Sequence, residues 1–370
     1  MRKKILIVKL GALGDIMFST PLIRTLKKGF PQSSISYLTT RWSKDIIECN
    51  PYLYEVLVFE NMLRTILKIR KEKFDVAFIL HRTILSNLFV FLCNIPERIG
   101  FKYQPCSETL VSRIKGSGLF LTKKVFFDKN KHEIDRYLDL ASACGINADG
   151  TDTEIKVPDE LKKYGEDLLS GFNISQDDFK IGILAGGGIN PGTTMSIKRL
   201  DENKIASVAD TLIEKFAAKV IFVGDEKDFD YVNKITGFMK HKPVNLVGMT
   251  GKKQLLGVLS RFNLFIAGDS GSLHISAGIG IPTIGIFGPS DPRLVAPRGE
   301  KHTYVWRHVK CSPCYNPESV WQNKDFSVCP SGTLECMKSI TADDILSAVE
   351  KLGVGHPTGT QRSWVRDICR

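Results

Sequence analysis

The 370-residue chain is longer than one ordinary domain and holds 43% hydrophobic against 25% charged residues, which excludes a disordered or fibrous protein and predicts two globular halves. Its formal charge of +11 is uneven, because residues 60 to 136 carry 15 Lys and Arg against 8 Asp and Glu. No nucleic-acid motif accompanies that excess, so an anionic substrate, an anionic membrane surface or a solvated basic face is expected there, and no nucleic acid.

MRKKILIVKLG opens with basic residues, but Lys9 interrupts the apolar run after ILIV, so it does not read as a signal peptide and a cytoplasmic protein is expected. ILIV at 5 to 8 suits a strand buried on both faces. After the loop KLGALGD, IMFSTPLIRTLKKGF reads as one helix that ends in basic residues. SISYLTT, WSKDIIECN and VLVF continue as strand, helix and strand, and MLRTILKIRKEKF with DVAFIL repeats the cycle. TILSNLFVFLCNI, residues 83 to 95, is too short to span a membrane and reads as a buried helix. Residues 97 to 131 show no clear pattern, and HEIDRYLDLASACG is again a helix.

Polar and turn residues between 146 and 178 mark a boundary. The cycle then restarts with IGIL, the loop AGGGINPG, a helix through LDENKIASVADTLIEKF and the strand KVIFVG. TGKKQLLGVLSRF reads as a helix capped by Thr250, and LFIAGD, SGSLHISAGIG and PTIGIFG follow as strand, helix and strand. Such alternation predicts an α/β protein of two doubly wound, Rossmann-like parallel-sheet domains, at 1–172 and 178–350, with a flexible tail at 354–370. Ligands are expected in a cleft at the carboxyl ends of the strands.

Three turns carry the candidate chemistry. In the first, Gly11 and Gly14 allow close backbone approach, but Leu13 and Ile16 break the dinucleotide fingerprint and no Gly-Lys-Ser or Gly-Lys-Thr completes a Walker loop. Asp15 would compete with a phosphate there, and it reads either as a base held ionised by the helix dipole or as a simple N-cap. GDSGSLHISAG, at the equivalent place in the second half, is the better anion site: Asp269, Ser270, Gly271 and Ser272 lead into a helix whose first turn carries His274. In AGGGINPG, Gly187 and Gly188 form the third turn, followed by Lys198, which could neutralise a departing diphosphate or lie solvated at the surface. Asp225 and Glu226, in VGDEKD, are placed to bond ribose hydroxyls.

In this order the motifs resemble the lipopolysaccharide heptosyltransferases of glycosyltransferase family nine. KLGALGD with STPLIRTLKK, GGGINPG with Lys198, GDSGSLHISAGIGIPTIGIFGPSDP, and CSPCYN with CMKSI carry the resemblance across nearly the whole chain. It implies a GT-B fold and an inverting transfer that needs no metal or other cofactor. Asp15 would be the general base, and Lys198 with the 269 to 274 loop would stabilise the leaving diphosphate. The implied partners are a nucleotide-sugar donor such as ADP-heptose and an anionic, lipid-linked saccharide acceptor, with peripheral contact to the inner face of the plasma membrane. Arg199 and Leu200 depart from the aromatic residue the family often has after the donor-side lysine. The helix dipole weakens Asp15 as a base, and closure of the two halves on both substrates would restore its basicity.

Cys311, Cys314, Cys329 and Cys336 pair one tight C-x2-C with a loose remainder, which fits reduced cysteines packing a subdomain better than a zinc site. Two other functions fit the same residues. One is a nucleotide-sugar epimerase or hydrolase, and the other is a non-catalytic binder of nucleotide sugars or nucleic acid.

Overall fold

The fold is described from a computed structural model over residues 3–104, 109–187, 189–190, 193–315 and 327–354. Gly188 and the expected tail beyond Val354 lie outside the described residues. The chain divides into two compact units, Met1–Lys156 with Arg293–Arg298, and Val157–Pro292 with Gly299–Arg370.

The first unit is built on β1 (Lys4–Val8), β2 (Ser34–Thr39), β3 (Glu55–Val58), β4 (Val76–Ile79), β5 (Glu97–Lys102) and β6 (Lys123–Phe126). They form one parallel sheet in the order β3-β2-β1-β4-β5-β6. In register, Ile5 lies between Ile35 and Val76, so β1 is central. Ile5, Leu6 and Ile7 are fully buried on alternating faces, each contributing about 1.5–3 kcal/mol. One face is covered by α1 (Leu13–Phe18), α2 (Thr20–Gly29), α3 (Arg41–Ile47) and α7 (Glu133–Ser142). The other packs on α4 (Met62–Glu72) and α5 (Ile84–Leu92), with α6 (Leu110–Gly116) beside α5.

Three expectations change here. The first long helix is two, because Ser19 forms a turn between them: its backbone N–H and its hydroxyl both donate to the Ile16 carbonyl, and Pro21 sits in the first turn of α2. The apolar run at 83 to 95 does not bury completely. Phe89 and Val90 face the sheet, while Leu85, Phe91 and Leu92 are exposed. Within 97 to 131, β5, α6 and β6 complete the sheet, the strands being short and mostly flanked by charged residues that hide their pattern.

The second unit repeats the same winding. β7 (Lys180–Leu184), the hairpin strands β8 (Ile189–Asn190) and β9 (Thr193–Thr194), β10 (Lys219–Phe222), β11 (Val244–Asn245), β12 (Leu264–Gly268), β13 (Thr283–Phe287) and β14 (His302–Trp306) follow in chain order. Apart from the hairpin they form a parallel sheet in the order β11-β10-β7-β12-β13-β14. Its helices are α8 (Asp159–Ser170), α9 (Glu202–Phe216), α10 (Phe229–Phe238), α11 (Lys252–Leu259) and α12 (Gly271–Ile279), with Ala342–Leu352 packed on α9. The cap of α11 is Gly251 and not Thr250: Gln254 accepts from the Gly251 N–H at 2.8 Å.

The domain division therefore falls between Lys156 and Val157 and not at 172. α8 belongs to the second unit because it packs backbone to backbone on α11. A Cβ on Gly165 would lie 2.3 Å from the Gly257 carbonyl oxygen, and one on Gly257 only 1.9 Å from that of Leu161. Side chains at either position would hold the helices apart.

Candidate active site

Both sheets carry the 3-2-1-4-5-6 winding, whose strand order reverses between the first and fourth strands of each sheet. Loops leaving those two strands open a crevice at the carboxyl edge, the usual place for a ligand in this architecture. In the first unit these are the loops after β1 and β4, and in the second those after β7 and β12.

In the first unit, Lys9 to Ala12 leave β1 and Asp15 lies in the first turn of α1. The N-cap of α1 is Ala12, with no side-chain cap bond, so Asp15 is not the cap. Its carboxylate is 40% exposed and pairs with the buried Lys9 ammonium, Nζ to Oδ2 at 3.3 Å. A Cβ on Gly11 would stand 3.0 Å from the Asp15 Oδ2 and 3.1 Å from the Lys9 side chain. Neither Gly11 nor Gly14 has positive φ, and Gly14 is an ordinary residue of α1.

Several partners were not singled out from the sequence. His81, in the loop after β4, accepts the Leu10 N–H at 2.6 Å through Nε2, tying the two loops together. Burial, aided by Lys9 and Arg82, pushes His81 down to about 3, so the ring is neutral. Arg82 and Arg136 both lie over the Phe127 ring, at 4.0 and 4.5 Å. Glu133 pairs with Arg136. Burial pushes Glu133 upward, but Lys9 and Arg136 outweigh it and hold the carboxyl below its ordinary value. Lys9 is thus the cation that pairs with Asp15, and Lys9, Arg136 and Arg82 together surround the Glu133 carboxylate.

In the second unit, Asp269 follows β12 directly and Ser270 caps α12, its hydroxyl accepting the Leu273 N–H at 3.4 Å. Gly271 and Ser272 form the first turn of that helix and His274 is buried in the next. Lys198 Nζ donates to the Asp269 Oδ2 at 2.6 Å, both groups being largely buried. The Ser290 hydroxyl donates to the same oxygen and His274 Nε2 lies 3.6 Å from Oδ1. Burial pushes Asp269 up, yet Lys198 and then His274 overcome it and hold the carboxyl far below the carboxylate range. Lys198 also stands 4.5 Å from the centre of the Tyr315 ring.

Gly187, at φ +95, places its backbone beside Ser270, where a Cβ would be 3.8 Å from the serine Cβ. The loops after β7 and β12 therefore meet, and Gly187, Lys198, Asp269, Ser270 and His274 form one group. Asp225 and Glu226 form a separate exposed turn after β10, in which the Asp225 side chain accepts the Lys227 N–H at 3.1 Å. The link between the two regions is Asp228, which is buried and was not anticipated. It accepts Arg199 Nη2 at 2.6 Å and the Gly187 N–H at 3.3 Å, and a Cβ on Gly186 would lie 2.2 Å from its carboxyl. Arg199, noted in the sequence only as a departure, is the cation that holds this turn.

Cys311, Cys314, Cys329 and Cys336 are free thiols. Burial pushes Cys336 up to about 11, the neighbouring thiols adding to it. Among the described residues, no three His, Cys, Asp or Glu side chains come together in a way that could hold a metal ion.

The family model described as glycosyltransferase family 9 (heptosyltransferase) matches residues 62–324. The chain belongs to that family. It is a glycosyltransferase with the GT-B fold. Lipopolysaccharide heptosyltransferase 2 of Salmonella typhimurium is 26% identical over 317 residues, covering 80% of this chain and 86% of the relative. Among solved structures, the family 9 glycosyltransferase from Veillonella parvula superposes with a TM-score of 0.76 at 22% identity, covering 95% of this chain and 97% of that one. The E. coli ADP-heptose lps heptosyltransferase II superposes with a TM-score of 0.72 at 22% identity, covering 94% and 98%. Both likenesses bear on the fold.

Proposed function

We propose that this glycosyltransferase moves heptose from ADP-heptose to a saccharide of the lipopolysaccharide core, with inversion at the anomeric carbon and no metal ion in the step. The relatives' names support the sugar and the acceptor, and one observation carries the mechanism. That observation is the part-exposed Asp15 carboxylate, held by a buried lysine at the switch point of the first unit.

In the reaction, Asp15 takes the proton of an acceptor hydroxyl as the oxygen attacks the anomeric carbon. The bond from that carbon to the β-phosphate oxygen breaks and ADP leaves with the electron pair. The Lys9 ammonium, 3.3 Å from Oδ2, holds the Asp15 carboxylate in place. In the second unit, the N–H groups at the start of α12 and the Lys198 ammonium receive the diphosphate. One of the three Lys198 protons is engaged by Asp269, which leaves two for phosphate oxygens and fixes the ammonium in place. Arg199 and Asp228 hold the Gly187 backbone that borders this pocket.

The donor assignment is tested by thermal shift of the full chain with nucleotides. At 100 times its dissociation constant, a ligand that binds only the folded state adds about 2.7 kcal/mol, a shift of roughly 5 to 11 °C in a domain of this size. ADP is expected to raise the melting temperature, with UDP and GDP giving little. A shift with UDP or GDP and none with ADP would overturn the ADP-heptose reading.

A further inference from the structure

The outer face of α4, α5 and α6 is at odds with the rest of the surface. The described residues of the chain include eighteen exposed large hydrophobic side chains, and ten of them fall between Met62 and Leu119. Leu63 is 67% exposed, Leu85 65% and Leu110 73%. This is not the frayed edge of one helix. Arg70 Nε in α4 donates to the Leu92 carbonyl at the end of α5 at 2.7 Å, and Phe91 of α5 meets Phe120, just beyond α6, with ring centroids 5.2 Å apart. Arg98 lies over the same Phe91 ring at 5.3 Å. The three helices thus form one continuous covering.

The same stretch is strongly basic. Residues 62 to 119 contain ten Lys and Arg against four Asp and Glu, and Lys68, Lys71 and Lys115 are exposed among the apolar side chains. A face meant for the core of a larger protein assembly is usually depleted of lysine, whereas apolar side chains mixed with lysine match a surface whose interior is hydrocarbon and whose rim is phosphate. No described helix is long and apolar enough to cross a membrane, so the match is to a surface on which the protein lies. The helices also explain the incompletely buried run at 83 to 95: its inward side packs on the sheet, and its outward side stays apolar where a water-facing helix would be polar.

We propose that the α4–α5–α6 face is a docking surface for an anionic phospholipid bilayer, the exposed leucines and Phe91 entering the acyl boundary and the lysines lying among headgroup phosphates. The inference rests on this face alone and stands whichever sugar is transferred.

Co-sedimentation of the full chain with vesicles tests it, using phosphatidylcholine alone and phosphatidylcholine mixed in equal parts with phosphatidylglycerol. Binding to the mixed vesicles is expected to exceed binding to the neutral ones by at least about tenfold and to fall with added salt. The combined variant Leu63→Ser, Leu85→Ser, Leu110→Ser and, separately, Lys68→Glu with Lys71→Glu should each lower the partition by about tenfold. Circular dichroism melting checks that both variants remain folded; these positions are exposed, so little change is expected. Equal binding to both vesicle types, or binding unaltered in both variants, would overturn the proposal. So would a wild-type dimer in light scattering that the leucine variant converts to monomer with no vesicle binding by either, which would make the face an interface between copies of the chain.

Discussion

Replacing Asp15 by Asn is expected to lower the turnover number for transfer by a factor on the order of 10² to 10⁴, the usual contribution of a general base. The change keeps the side-chain shape but removes the group that accepts the acceptor proton. Lys9 is left beside a neutral amide, with Glu133 as a remaining acidic neighbour. Stability should therefore change little, because the lost partner is 40% exposed and exposed ion pairs contribute about 0–1 kcal/mol. Donor affinity, measured by calorimetry with ADP, should stay within about twofold, since uniform binding is untouched when only a transition-state interaction is removed. A turnover number within tenfold of wild type would remove Asp15 from the mechanism. Loss of ADP affinity in parallel with rate would instead make it a donor-binding residue.

The second large effect is expected at Lys198. Truncation to Ala leaves Asp269 buried with Ser290 and His274 as its side-chain partners among the described residues, and stranding one member of a buried pair costs about 3–5 kcal/mol. Transfer should fall as well, because the cation nearest the proposed diphosphate site is gone. Lys198→Met combined with Asp269→Asn removes both charges. That pair is expected to recover most of the lost stability and none of the activity, which separates the structural from the functional role. The acid limb gives an independent reading. The folded carboxyl of Asp269 lies below its unfolded value, so its stabilising contribution is complete above the unfolded value of about 4 and is lost as pH falls from there through the folded value. Urea midpoints for wild type and Asp269→Asn should thus differ most at neutral pH and converge in acid. Equal midpoints at pH 7 for wild type and Lys198→Ala would contradict the stabilising role assigned to the pair.

The parallel strands were legible because their chemistry is local. KILIV, KIGIL, LFIAG and TIGIF are short apolar runs between turns, and each became a strand buried on both faces. Asp15, Asp269 and His274 stood out because each follows such a run within a glycine-containing turn. What escaped the sequence depends on contacts between distant residues. His81 reaches Leu10 only because β4 lies beside β1, and Arg199 reaches Asp228 only because the turn after β10 folds back over the one after β7. Nothing within a few residues of His81 or Asp228 encodes those meetings, although each lies in the turn after an apolar strand, the same signal that marked Asp15. α5 misled for a different reason. ILSNLFVFL is apolar on nearly every side, so its periodicity could not show which side meets the sheet and which faces out. The division differs from the boundary expected at 172 because Gly165 and Gly257 lie 92 residues apart in the chain, and their close backbone approach is what attaches α8 to the second unit.

Family membership makes the chain a glycosyltransferase, an enzyme of transfer to an acceptor rather than of hydrolysis or mere binding. Release of ADP from ADP-heptose, followed with and without a lipopolysaccharide-core acceptor, tests that most directly. The account predicts rapid ADP release only with acceptor present, accompanied by addition of one heptose to it, and loss of both in Asp15→Asn. ADP released at the same rate without acceptor, or no release under either condition, would contradict it.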